Sequence, residues 1–259
     1  MGLRAVLPLV LLAAAPACGE EPFEVRVGRA IDRGVAWLQA RQGDDGSWGG
    51  LLAEVDYEGG DDPWDYPSGP TSLALLTLLK CGVAPDDAQV EKGFSWLREH
   101  HESPMTTYEV STLMMAIEAR HNPWKRETQL ERERRLRQRR GPAVPLPRAD
   151  ARWMRGLTEG LVGRFQEGGW RYGGRPGWVA DPYGIRRDLS NTQFAMLALY
   201  LAHRCGTKVP ADVLERTLEW TLSQQEEDGP RVARFEPAGE GAEGTSRVYD
   251  TARGWAYTR

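Results

Sequence analysis

The sequence predicts an all-α fold built as an α/α barrel, with amphipathic helices outside and apolar helices inside. Three observations carry this expectation. Segments with a one-sided apolar stripe alternate with segments that are apolar on nearly every side. The amphipathic segments recur at a spacing near 59 residues. A Gln- and Gly-containing element, in its fullest form Gln42-Gly43-Asp44-Asp45-Gly46-Ser47-Trp48, follows three of them. A right-handed solenoid of helix pairs is the other packing that would stack such repeats.

The first outer helix is read from Val27, Ile31, Val35 and Leu38, which fall at helical spacing with Asp32, Arg33, Gln39 and Arg41 on the opposite side. Its Trp37 returns as Trp96, 59 residues later. Leu161 and Trp220 form a second pair at the same spacing. Gln42, Gln166 and Gln225 each stand five residues beyond their outer-helix marker. Between these helices lie three inner candidates, at 71–80, 110–119 and 192–203. The first and third lack a polar face and are expected to be buried on every side. Gly82 and Gly206 supply C-terminal stops, while Gly69-Pro70 and Ser190 supply starts. Residues 123–150 break the rhythm. The stretch 125–140 is nearly all charged and three prolines follow, which reads as a solvated helix or a flexible insertion.

Composition bounds the function. With a net charge of −4, nothing in the composition suggests a nucleic-acid or anionic-membrane surface, and no nucleic-acid partner is expected. The first 17 residues combine Arg4, a short apolar run and Ala15-Pro16-Ala17, the pattern of a secretory signal, so export is expected. The run is too short for a permanent membrane span. Cys18 stands where a lipoprotein cysteine would, which makes a lipid anchor the lesser alternative to plain cleavage. Cys81 and Cys205 each precede a glycine at an inner-helix end. A disulfide or two buried thiols would account for them, and buried thiols are the expectation.

The Gln-to-Trp element resembles the QW motif of squalene–hopene and oxidosqualene cyclases, and the alternating helices resemble the α/α toroid those enzymes share with protein prenyltransferase β subunits. The resemblance covers about 28–259, incomplete at the C-terminus, without the charged insertion. It implies a structural role for Gln42, Trp48, Gln166, Trp170 and Gln225. The glutamine would bridge a helix end, and the tryptophan would stack on the neighbouring repeat. After Gln225 the tryptophan is displaced to Trp255. The cyclases' D-x-D-D acid run is missing, as is the prenyltransferase zinc set, so neither a metal nor a cofactor is implied.

One acidic run remains as a catalytic candidate. Asp61, Asp62 and Asp65 spell D-D-x-x-D, the pattern that holds Mg²⁺ against a diphosphate in class I terpenoid enzymes. Pro63 and Pro67 favour a loop, where turn or cap chemistry is the plainer reading and a loop Ca²⁺ site a third. In an α/α barrel all outer-to-inner loops emerge at one end. Trp64, Tyr66, Trp178, Asp181, Tyr183, Arg186, Arg187, Asp188 and Trp255 should therefore gather there with the three aspartates. Such a mouth suits an apolar or isoprenoid-like molecule, or a protein partner. The functional expectation is an exported repeat protein that binds one of these, with no established catalysis. A terpenoid cyclase or related isoprenoid-processing enzyme is the second reading, and a structural scaffold the third. Leu73, Leu76, Met115, Phe194 and Leu197 are expected to form an apolar flank that promotes self-association.

Overall fold

The computed structural model describes residues 21–49, 68–100, 106–122, 143–172, 187–226, 228–237, 245–251 and 254–255. Seven helices appear among them: α1 (Phe23–Gln39), α2 (Ser68–Lys80), α3 (Ala88–His100), α4 (Thr107–His121), α5 (Arg148–Gly163), α6 (Leu189–Arg204) and α7 (Ala211–Ser223). The fold is all-α, joined by one two-stranded antiparallel hairpin, β1 (Arg231–Pro237) and β2 (Thr245–Thr251). No helix among the described residues is long and apolar enough to cross a membrane. The first 17 residues, expected to be a secretory signal, and the charged stretch 125–140 lie outside the described residues.

The helices form two layers. α2, α4 and α6 pack side by side, with α4 in the middle, and α1, α3, α5 and α7 lie against them. The inner helices run parallel. At their N-terminal ends, a Cβ placed on Gly69 of α2 would lie 3.3 Å from Glu109 Cγ of α4, and the Tyr108 hydroxyl of α4 pairs with that of Ser190 in α6. At the other ends, the buried Glu118 of α4 accepts from Lys80 Nζ at 3.2 Å and from Arg204 at 3.1 Å. One carboxylate thus ties all three inner helices together.

Burial follows neighbours rather than composition. α4 has a helix on each side and is buried from Val110 through Ala119. α2 and α6 were expected to be the fully buried helices, yet each keeps an open edge. Leu73 on α2 and Leu197 and Tyr200 on α6 are exposed, because only one inner neighbour flanks each helix. Met115, expected on the apolar flank, is instead buried within α4. α1 has no buried residue, and only Val35 and Leu38 near its C-terminal end pack against the core.

The helix ends obey local chemistry. Gly82 and Gly206 take positive φ of 94° and 83°. Val83 N–H donates to Leu78 O and Thr207 N–H to Ala202 O, the five-residue reach that closes a helix with a left-handed residue. α4 starts with a capping box: Glu109 N–H donates to the Thr106 hydroxyl and Thr106 N–H to the Glu109 carboxylate. α6 is capped by Asp188, not by Ser190 as expected. The Asp188 carboxylate accepts from Asn191 N–H at 2.7 Å, while Ser190 pairs across to Tyr108. Neither remaining cysteine is in a disulfide, and Cys81 is exposed rather than buried, because it sits where α2 ends and the chain turns at the surface.

Two glycines test this packing with opposite signs. Gly168 has φ of 102°, and a Cβ there would lie 2.5 Å from Trp220 Cβ. Gly168→Ala should therefore cost about 2 kcal/mol or more through strain and overlap. Gly160, in the interior of α5, has nothing within 4 Å of such a Cβ. Gly160→Ala should stabilise by about 0.5–1 kcal/mol. Urea denaturation of the two variants checks both signs.

Candidate functional site

The three Gln-to-Trp elements share one geometry. Trp48 Nε1–H donates to Leu38 O at 2.8 Å, Trp170 Nε1–H to Leu161 O at 2.8 Å, and Trp255 Nε1–H to Thr221 O at 2.9 Å. Each acceptor is a carbonyl in the last turn of an outer helix, where the regular four-residue donors run out, and each also accepts the backbone N–H three residues on. The backbone N–H of Trp48 donates to the Thr71 hydroxyl and that of Trp170 to the Thr192 hydroxyl, at 2.9 and 3.1 Å. One tryptophan thus joins the end of an outer helix to the start of an inner one. Gln42 donates to Gly46 O and to Gln89 O at the start of α3. Gln166 pairs through its backbone with Gly169. Gln225 and Trp255 form a bridge that closes the base of the β1–β2 hairpin.

That hairpin explains the displaced tryptophan. Residues 225–250, read from the sequence as a loop, carry strands inserted between Gln225 and Trp255, registered from Arg231 opposite Thr251 to Pro237 opposite Thr245. A strand signal was available: Val232, Phe235, Val248, Tyr249 and Thr251 flank the Gly-rich stretch 238–244. The repeat reading absorbed it.

The N-terminal ends of the inner helices form the face from which the long loops leave. Tyr108 lies at its centre, 4.8 Å from Phe194 edge-to-face and 5.5 Å from Tyr172. Burial raises the Tyr108 hydroxyl above its ordinary range, against the opposing hydrogen bond from Ser190. Burial also raises the Glu109 carboxyl, although the N–H groups of Thr106 and Gly69 pull the other way. The two acids in or beside the first turns of α4 and α6, Glu109 and Asp188, cap those helices. Arg187 pairs with Glu167 and stacks 5.3 Å over Trp220.

Of the residues singled out from the sequence, Asp61, Asp62, Trp64, Asp65, Tyr66, Trp178, Asp181, Tyr183 and Arg186 lie outside the described residues. Trp255 is described. It is half-exposed and lines a groove of about 500 Å³ with Leu189, Met196, Leu214 and Leu218. Among the described residues no cluster of His, Cys, Asp and Glu is arranged to hold a metal ion.

The sequence reading passed over one charged cluster. Buried Asp150 at the start of α5 pairs with Arg98 of α3, and the His121 ring of α4 meets it at 2.7 Å. Burial pushes the Asp150 carboxyl up, and the Arg98 and His121 hydrogen bonds more than reverse this, so it is held below the usual carboxylate range. A lowered folded-state pKa means stability that is present above the unfolded value of about 3.9 and is lost as pH falls through the folded one. In acid titrations followed by circular dichroism, Asp150→Asn should flatten this part of the acid limb.

The fold and these elements define an all-α protein of alternating inner and outer helices. Over 75 residues, 28% of this chain, the sequence is 39% identical to the squalene–hopene cyclase of Zymomonas mobilis subsp. mobilis. The chain spans 11% of that protein's length. No family model and no solved structure matches the chain.

Proposed function

We propose that this is an exported, cyclase-like α/α-toroid repeat protein that binds an apolar, isoprenoid-like molecule at the N-terminal face of its inner helices, without catalysing its cyclisation. The single observation that carries the reading is the state of the two acids at the starts of α4 and α6. Glu109 and Asp188 accept backbone N–H bonds as helix caps, and an aromatic group of Tyr108, Tyr172 and Phe194 lies beside them. Aromatic surface with satisfied polar groups suits binding of a hydrocarbon. Protonating an alkene needs an acid aimed at the substrate, and these two are held in other bonds. The toroid arrangement and the structural role of the Gln-to-Trp elements are supported by the parallel inner helices and the shared indole-to-carbonyl bond.

The 75-residue similarity to a squalene–hopene cyclase favours the second reading, a terpenoid cyclase. Titration with farnesol, followed by tryptophan emission, and incubation with squalene and with prenyl diphosphates plus Mg²⁺ separate the two. The binding reading expects a saturable emission change with no cyclised or hydrolysed product. Turnover that disappears in Asp61→Asn and Asp62→Asn would replace it with the enzyme.

A further inference from the structure

The outer helices α3 and α7 are equivalent in the repeat, as Trp96 and Trp220 show, but they differ in what covers them. On α3, Val90, Phe94 and Leu97 are buried, with Phe94 only 1% exposed. Their equivalents on α7 are Leu214, Leu218 and Thr221, and Leu218 is 61% exposed. α3 packs against α2, as α7 does against α6, and α4 adds to that cover: Arg120 lies 4.6 Å over the Phe94 ring. The tryptophans repeat the contrast. Trp48 and Trp170 are 0% exposed, each with its N–H on an inner-helix threonine, whereas Trp255 is 49% exposed. Trp255, α6 and α7 together line the apolar groove of about 500 Å³.

We infer that this groove is the docking site for one apolar α-helix of the inner type, lying parallel to α6, with a threonine or serine in its first turn. The protein holds two worked examples of the complex: α4 lies against α2 and reaches α3 through Arg120, which pairs with Glu91 and covers Phe94, and α6 lies against α4 and α5. The hydroxyl is specified because Thr71 and Thr192 accept from the tryptophan N–H in the two buried copies. A second copy of this chain does not fit by the same rule. Its α2 is preceded by α1, which would need the outer position that α7 already holds. The groove adjoins the Tyr108 face at the first turn of α6, through Leu189 and Thr192, but Leu218 belongs to the groove alone, so Leu218→Lys separates helix docking here from ligand binding there.

The test appends residues 188–206 of this chain, its own third inner helix with the Asp188 cap, after residue 259 of the full chain through a glycine–serine linker. The docked helix should move Trp255 emission to shorter wavelength, read as the difference from a Trp255→Phe version, and raise the melting temperature by several degrees. Leu218→Lys in the groove should abolish both effects. Replacing the appended copy of Thr192 by alanine should reduce them. The inference is overturned if Trp255 stays exposed in the extended chain. It is equally overturned if the unextended chain sediments as a dimer with Trp255 already shielded, or if farnesol shields Trp255 in a way that Leu218→Lys prevents.

Discussion

Replacing Trp48 or Trp170 by alanine should lower the unfolding free energy by about 3–5 kcal/mol each, the range for removing a fully buried large aromatic. Both indoles are wholly buried, and both donate to a carbonyl in the last turn of an outer helix. Trp48 also has close neighbours on two helices. A Cβ on Gly93 of α3 would lie 3.0 Å from its ring and 3.0 Å from Leu75 of α2, so the hole left by truncation cannot be filled by a small shift of one side chain. The comparison that gives the result its meaning is Trp255→Ala. The same indole-to-carbonyl bond is made there on a half-exposed ring, and the cost should stay below about 1 kcal/mol. Chemical denaturation of the three variants measures the ordering. Equal losses at all three positions would mean that the hydrogen bond, rather than burial between layers, sets the contribution.

The second large effect belongs to Glu118. Its carboxylate is 1% exposed and accepts from Lys80, Arg204 and Asn122. Glu118→Ala should cost about 3–5 kcal/mol, because it removes a buried carboxylate from beside the largely buried Arg204 guanidinium and opens a hole between the inner helices. Lys80→Ala should cost less than about 1 kcal/mol, since that side chain is substantially exposed and water already screens its ion pair with Glu118. Arg204→Ala should fall between the two. The ordering distinguishes a buried carboxylate that needs its cations from a surface pair that does not.

Much of the helix pattern was legible in the sequence because one-sided and all-round apolar segments demand different environments. The stripe at Val27, Ile31, Val35 and Leu38 and the runs at 71–80, 110–119 and 192–203 are all helical. Position within the layer was legible only in part, because burial depends on which helix lies next door. Of the residues read as an exposed apolar flank, Leu73 and Leu197 are exposed at the edges of the layer, while Met115 is buried in the central helix. The cap of α6 was misread by two residues, because Asp188 and Ser190 are both good N-caps and only the backbone path decides between them. Glu118 and Asp150 gave no signal, since the partners that bury them come from 29 to 86 residues away. The hairpin was legible only to a reading that set the helical repeat aside. The proposed acidic and aromatic mouth residues from Asp61 to Tyr66 and from Trp178 to Arg186 lie outside the described residues.

The central structural claim is the order of the layers, with α4 as the middle inner helix, flanked by α2 and α6, and α1 and α7 as open-edged outer helices. Native-state hydrogen exchange resolved by residue tests it most directly, because protection follows local packing. The account predicts the slowest exchange in α4, intermediate exchange in α2 and α6, and the fastest among the helices in α1 and α7. Protection in α1 or α7 equal to that of α4, in a chain shown to be monomeric, would contradict it.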